Sequence, residues 1–180
     1  MKKGTSYMPG PATGAEVEKS GEQWALVMVR ELRHAPARVW QALTDPAQLR
    51  EWAPYEADRS LATVGPVKLS TVGAPSIDSD SAVKVAEAGK RLEHTWVGND
   101  LKWQLEPLGT GTRLKLWINI DRRFIAWGAA GWHICIDVLD HLLAGDPIGR
   151  IAGPEAMKFE GWQRLSGEYG KQFGVQAPSW

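Results

Sequence analysis

The apolar residues change their spacing once, near Arg122-Arg123, and that change restricts what this chain can fold into. Before it, Leu101, Trp103 and Leu105 alternate with Lys102, Gln104 and Glu106. Leu114, Leu116, Ile118 and Ile120 alternate in the same way with Arg113, Lys115, Trp117 and Asn119. A period of two gives a strand one buried face and one wet face. After the change, Gly131, Ile134, Cys135, Val138, Leu139 and Leu142 recur at threes and fours, which predicts an amphipathic helix from about Trp127 to Ala144. Strands joined by short turns and then a long helix predict an α+β fold, an antiparallel meander with a helix packed on it.

The rest of the chain fits around that frame. Residues 1–21 carry Met8-Pro9-Gly10-Pro11 and no apolar period, so they read as a flexible tail. Trp24 to Leu32 reads as the first strand. Pro36 opens a short helix with Val39, Trp40 and Leu43 on its inner stripe; Asp45 caps a second, started by Pro46, with Leu49 and Trp52 inward. Val67-Lys68-Leu69, Val83 to Ala86 and Arg91 to Val97 read as short strands, with a loop from Gly73 to Ser81 and a hairpin turn at Gly98-Asn99-Asp100. Gly145-Asp146-Pro147 ends the long helix, and a linker over 145–156 leads into a further helix from Glu155 to about Phe173. The expected organisation is a tail at 1–21, one domain at 22–174 and a tail at 175–180.

Charge and cysteine content exclude several classes. Lys plus Arg and Asp plus Glu both number 21, so no basic footprint exists for nucleic acid or for an anionic membrane surface. The zero net charge gives little self-repulsion and leaves a homodimer open. Cys135 is the single cysteine, which rules out an intramolecular disulfide and a multi-cysteine metal site. No apolar stretch approaches the ~18 residues of a membrane span, and the two lysines at the start precede no apolar run of the secretory kind. A cytoplasmic location is expected.

Ten tryptophans are the compositional exception. Most such side chains build cores, but rigid aromatic walls also suit a pocket for an apolar or ring-bearing ligand. By strand parity, His94 faces inward with Leu92 and Trp96, and Trp103 faces inward while Trp117 faces out. On the long helix, His133, Asp137 and His141 form a polar stripe with Asp140 beside it. A solvated face of His–Asp pairs is the plainest explanation. An acid–base role would have Asp137 orient His133, and a metal role would need further ligands converging there. His133, next to Trp132, is the member expected nearest a pocket. Cys135 reads as a buried inert thiol. No phosphate loop and no Gly-x-Ser-x-Gly nucleophile turn occurs.

The stretch His34-Ala35-Pro36-Ala37-Arg38-Val39-Trp40, followed by Ala42-Leu43-Thr44-Asp45-Pro46 and Leu49-Arg50-Glu51-Trp52, resembles the N-terminal signature of the SRPBCC (START/Bet v 1-like) superfamily. Leu92-Glu93-His94-Thr95-Trp96, Gly111-Thr112-Arg113-Leu114, Gly131-Trp132-His133 and Trp162 through Phe173-Gly174 extend the likeness, which is strongest to its bacterial branch of Aha-type activators of the heat-shock-protein-90 ATPase. The resemblance implies a helix-grip fold, a curved antiparallel sheet wrapped around a long C-terminal helix with two short helices after the first strand. It also implies a small hydrophobic or aromatic ligand held between sheet and helix, with His94, Trp96, Trp103, Leu105, Leu116, Trp132, His133 and Ile134 as the expected lining. Relatives of this kind include polyketide cyclases or hydrolases and co-chaperone domains, so an enzyme using the same pocket, with His133 and Asp137 as catalytic candidates, and a protein-interaction domain stand as alternatives. No cofactor and no metal are expected.

Overall fold

Asp45 ends one helix and begins the next. Its backbone N–H donates to Gln41 O, closing α1 (Pro36–Thr44), while its side chain accepts the Ala47 N–H at 3.0 Å and caps α2 (Pro46–Trp52). Proline occupies the first turn of both, where its missing N–H costs nothing. Trp52 is fully buried, and its indole donates to Ala42 O at 2.9 Å, which locks the two helices together.

The computed structural model describes residues 7–176; residues 1–6 and 177–180, the outer parts of the two expected tails, lie outside the described residues. Eight strands form one antiparallel sheet: β1 (Ala15–Ser20), β2 (Gln23–Leu32), β3 (Tyr55–Ala57), β4 (Gly65–Thr71), β5 (Ile77–Glu87), β6 (Arg91–Trp96), β7 (Asn99–Leu108) and β8 (Gly111–Asn119). Their order is β1-β2-β8-β7-β6-β5-β4-β3. β4 to β8 run as the expected meander, and β8 closes back onto β2. The register sets Trp103 opposite Leu116 and Leu101 opposite Ile118, with Leu116 in turn opposite Met28, so the inward residues of three strands form continuous apolar rows.

Against those rows lies α3 (Ile125–Leu143), and α4 (Glu160–Phe173) packs on the far side of α3. A helix enclosed on both sides must be apolar on both, and α3 buries Trp132, Ile136 and Leu139 as well as Ala130, Ile134 and Cys135. This is the helix-grip arrangement. Trp103 is wholly buried at its centre, edge-on to Trp52 and Trp132 at 6.0 and 5.5 Å. Truncating such a residue to alanine costs about 3–5 kcal/mol.

The structure departs from the sequence expectations in four places. Residues 15–20, expected in the tail, form β1 at the sheet edge, where Ala15 and Val17 pack on the core. Residues 7–13 also lie on the domain: Arg164 donates to Gly10 O at 3.0 Å, and Ala12 N–H donates to Glu168 at 3.0 Å. The expected loop to Ser81 is shorter, because β5 starts at Ile77 and its polar residues pair with β4; Ser70 donates to Asp78 at 2.6 Å. The segment after the linker is a 3-10 turn, Pro154–Lys158, followed by α4, with Phe159 in an extended conformation between them. The helix gripped by the sheet is therefore α3, and α4 is a second layer behind it.

Candidate functional site

Two glycines thin the middle of α3. A Cβ on Gly128 would come within 2.7 Å of Ile120 Cδ1, so the glycine lets α3 approach the residue after β8 without displacing that methyl. A Cβ on Gly131 would meet nothing closer than Trp162 Nε1 at 3.9 Å, so this position is left open. The space so left, with the gap between α3 and the linker before α4, forms a cavity of about 290 Å³. Trp96 and Ile118 wall it from the sheet, Trp132 and Cys135 from α3, Ile151 and Ala152 from the linker, and Trp162 from α4. The linker is held by its own backbone fit: Gly153 has φ +73, and a Cβ there would come within 2.6 Å of Val72 O.

The rings are fixed from behind. Trp96 donates its indole N–H to Thr71 Oγ1 at 2.9 Å and lies 6.0 Å, edge-on, from Trp132. Trp162 stands edge-on to Trp127 at 5.6 Å. No charged side chain lines the cavity among the described residues, and Cys135 is its single titratable member. Burial pushes the Cys135 thiol up to about 12, so it stays neutral and unreactive. A larger groove of about 700 Å³ adjoins it, sharing Asn99 and Ile120, but its lining is polar and Arg123 there is already paired with Asp121 at 3.1 Å. The smaller apolar cavity is the better candidate for a ligand.

Of the residues expected to line a pocket, Trp96, Trp132 and Ile134 do so. Trp103, Leu105 and Leu116 face inward as expected but are absorbed into the core beyond the cavity wall. His94 is also interior, 1% exposed, yet it is fully engaged. Its Nδ1 lies 3.1 Å from Thr95 O, while Nε2 lies 3.3 Å from Trp103 Nε1 and 3.4 Å from Tyr55 Oη. That pattern fits the neutral tautomer protonated on Nδ1, with Nε2 accepting from both neighbours. Burial holds its pKa down at about 4.

His133 is turned away from the cavity. One residue on from Trp132 is about 100° around the helix, and His133 Nδ1 meets Tyr169 Oη of α4 at 2.6 Å. Its Nε2 is 3.6 Å from Asp137, which also pairs with Arg30 of β2 and accepts from Tyr7 Oη at 2.5 Å. The stripe that reads as solvated in the sequence is covered at its inner end, where His133 is 3% exposed beneath the segment 7–13, and open at its outer end, where the Asp140 and His141 side chains are 46% and 40% exposed. Burial lowers the His133 pKa, with the Asp137 charge opposing. The cluster is a polar joint between β2, α3, α4 and the N-terminal segment. His141 continues the stripe outward to Asp146 at 3.4 Å, and Asp140 meets His34 at 2.7 Å.

Sequence reasoning missed Trp162, Gly128, Gly131 and the linker residues Ile151 and Ala152 as pocket walls. They come from separate segments, and only the small-residue run Gly128-Ala129-Ala130-Gly131 in α3 hinted at open space.

An antiparallel sheet curled around one long helix, with two short helices after the first inner strand and an apolar cavity under the helix, defines the helix-grip class. Residues 33–144, over half of the chain, match the family model for Activator of Hsp90 ATPase homolog 1-like protein, and the chain belongs to that family. No curated protein matches it in sequence. Among solved structures it is similar to a conserved protein of unknown function, EF2215 from Enterococcus faecalis, with 18% identity, a TM-score of 0.67 and coverage of 90% of this chain and 92% of that one. It is also similar to CalU16 from Micromonospora echinospora, with 21% identity, a TM-score of 0.61 and coverage of 89% and 92%. A third similar structure is MLL2253 from Mesorhizobium loti, with 24% identity, a TM-score of 0.60 and coverage of 67% and 97%. At these identities the likeness shows the shared fold alone.

Proposed function

We propose that this chain binds a small, uncharged, ring-bearing hydrophobic molecule in the cavity between the sheet and α3. The observation that carries the reading is the wall itself: three indoles, Trp96, Trp132 and Trp162, around about 290 Å³ with no charged side chain among the described residues. Rigid aromatic surfaces give large contact area at little entropic cost, and flat rings complement flat walls. Removing apolar ligand surface from water contributes about 25 cal/mol per Å², so desolvation supplies most of the affinity. An enzyme working in this pocket would need a titratable group at its wall. His133 and Asp137 stand outside the lining, and the neutral Cys135 is a poor nucleophile, so binding is the better-supported reading.

The test is a thermal-shift series of uncharged aromatic compounds graded in size, from indene through naphthalene to anthracene derivatives, with native mass spectrometry of the purified chain. Binding to the folded state raises the melting temperature, by an amount set by ligand concentration over Kd. Stabilisation that peaks at one ring size supports the proposal. A flat response across the series, with no co-purifying small molecule, argues against it.

A further inference from the structure

Trp162 is 5% exposed, and its indole N–H has no acceptor among the described residues. It is not sealed away either, because Ser81 Oγ is the one sealed side-chain polar atom without a partner among those residues. The position of Nε1 is fixed by Gly131: a methyl there would lie 3.9 Å from it, and Gly131 is itself part of the cavity lining. The donor therefore stands at the cavity wall where α3 has no side chain. Trp132 is the same kind of group, 4% exposed, on the lining, with no acceptor among the described residues and no seal. Trp96, the third indole, has its N–H satisfied by Thr71. Unsatisfied donors in an apolar wall are costly, and such sites are filled by water or by a ligand atom.

We infer that the Trp162 N–H, with Trp132 as a second donor, selects ligands that carry a neutral hydrogen-bond acceptor on the ring system, a ring ketone or a related carbonyl. This deepens the binding proposal above and rests on it. The two unpaired indole N–H groups complement an acceptor, and Asn99, at the edge shared with the neighbouring groove, is the other polar side chain of the lining apart from Cys135. A carboxylate would satisfy the indoles but would be buried without a cation, since no Lys, Arg or His lines the cavity among the described residues. An amine or ammonium would bring further donors to indoles that are donors themselves, and an ammonium would find no carboxylate in the lining among the described residues. A carbonyl oxygen accepts without carrying a charge, and can replace a water held at the indole.

A matched pair tests this: 2-acetylnaphthalene, which has the carbonyl, against 2-ethylnaphthalene, which has the same ring and nearly the same shape. Both are titrated by calorimetry into the full chain and into Trp162→Phe, which keeps an apolar ring and removes the N–H. One net hydrogen bond corresponds to roughly a 3- to 10-fold preference for the ketone. The substitution should bring that preference to within about 2-fold, leaving hydrocarbon affinity nearly unchanged. In 15N-indole spectra of the unsubstituted chain, the Trp162 Hε1 resonance should move downfield with the ketone and not with the hydrocarbon. This readout decides the matter even if the variant fails to fold. Equal binding of the two compounds with no such resonance shift overturns this inference and leaves the pocket standing. Binding of neither compound overturns both.

Discussion

Tyr169 Oη lies 2.6 Å from His133 Nδ1, and this contact joins α4 to α3 outside the pocket lining. The same oxygen is 3.0 Å from Thr13 O and accepts the Thr13 N–H at 3.3 Å. One hydroxyl therefore ties two helices to the N-terminal segment. Burial pushes its pKa up to about 12, so it stays protonated across the ordinary pH range. Tyr169→Phe leaves the ring packing intact but strands His133 and the Thr13 peptide. Urea unfolding should show a loss of about 1–3 kcal/mol. Amide exchange at residues 10–15 should quicken more than in the core strands. Unchanged exchange there would contradict this joint.

Asp137 gathers Arg30, Tyr7 and His133 around one carboxylate. The Arg30 and Asp137 side chains are only 24% and 16% exposed, so removing the anion leaves a cation short of both water and partner. Asp137→Ala should cost about 2–3 kcal/mol, less than a fully buried pair because some solvent reaches it. Ligand affinity should stay within about 2-fold in the same variant, because none of these residues touches the cavity.

His94 gives the fold a pH dependence whose sign is fixed by its environment. Its pKa falls from an ordinary 6.5 to about 4 in the folded chain because burial disfavours the imidazolium. The unfolded chain thus binds more protons between those values, and stability rises with pH there. The contribution is complete above pH 6.5 and is lost as pH falls toward 4, up to roughly 3 kcal/mol in all. Protonation would also turn Nε2 from acceptor to donor against Trp103 and Tyr55. Denaturant titrations at pH 7, 6, 5 and 4.5 check the slope, and His94→Gln should flatten it. An equal slope in both proteins would mean that other groups control acid unfolding.

The architecture was legible from periodicity because Leu101 to Leu105 in β7 and Leu114 to Ile118 in β8 alternate strictly, while α3, buried on both sides, shows the helical spacing only along its Gly131, Ile134, Cys135 and Val138 stripe. Trp117 shows the same rule from the outer face: its polar parity puts it against Glu18 at 3.0 Å and beneath Lys102 at 4.5 Å. β1 escaped notice because Ala15 and Val17 alternate with glutamates over only a few residues, and an edge strand needs little hydrophobic signal. The site was half legible. Trp96 follows from strand parity, Ile134 from helix phase and Trp132 from the family resemblance, whereas Trp162, Ile151 and Ala152 are brought in by a linker whose path no local pattern encodes. His133 was misplaced by adjacency, since neighbours on a helix point about 100° apart.

Gly131 offers a way to close the cavity without disturbing its frame. The position has room for a Cβ, unlike Gly128, and a longer side chain there points toward Trp162. Gly131→Leu should fold with equal or greater stability, since replacing a helical glycine gains about 0.5–1 kcal/mol. Its melting temperature should no longer respond to any aromatic compound that stabilises the unsubstituted chain.

The most direct measurement is the set of intermolecular nuclear Overhauser effects between 2-acetylnaphthalene and the 15N,13C-labelled chain. Ligand ring protons should show contacts to Trp96, Trp132, Trp162 and Ile151, none to Tyr169 or Tyr7, and all of them should be lost in Gly131→Leu. Contacts confined to the outer face of the sheet near Trp117 or to the groove at Arg122, or no contacts at saturating ligand, would contradict binding in the cavity.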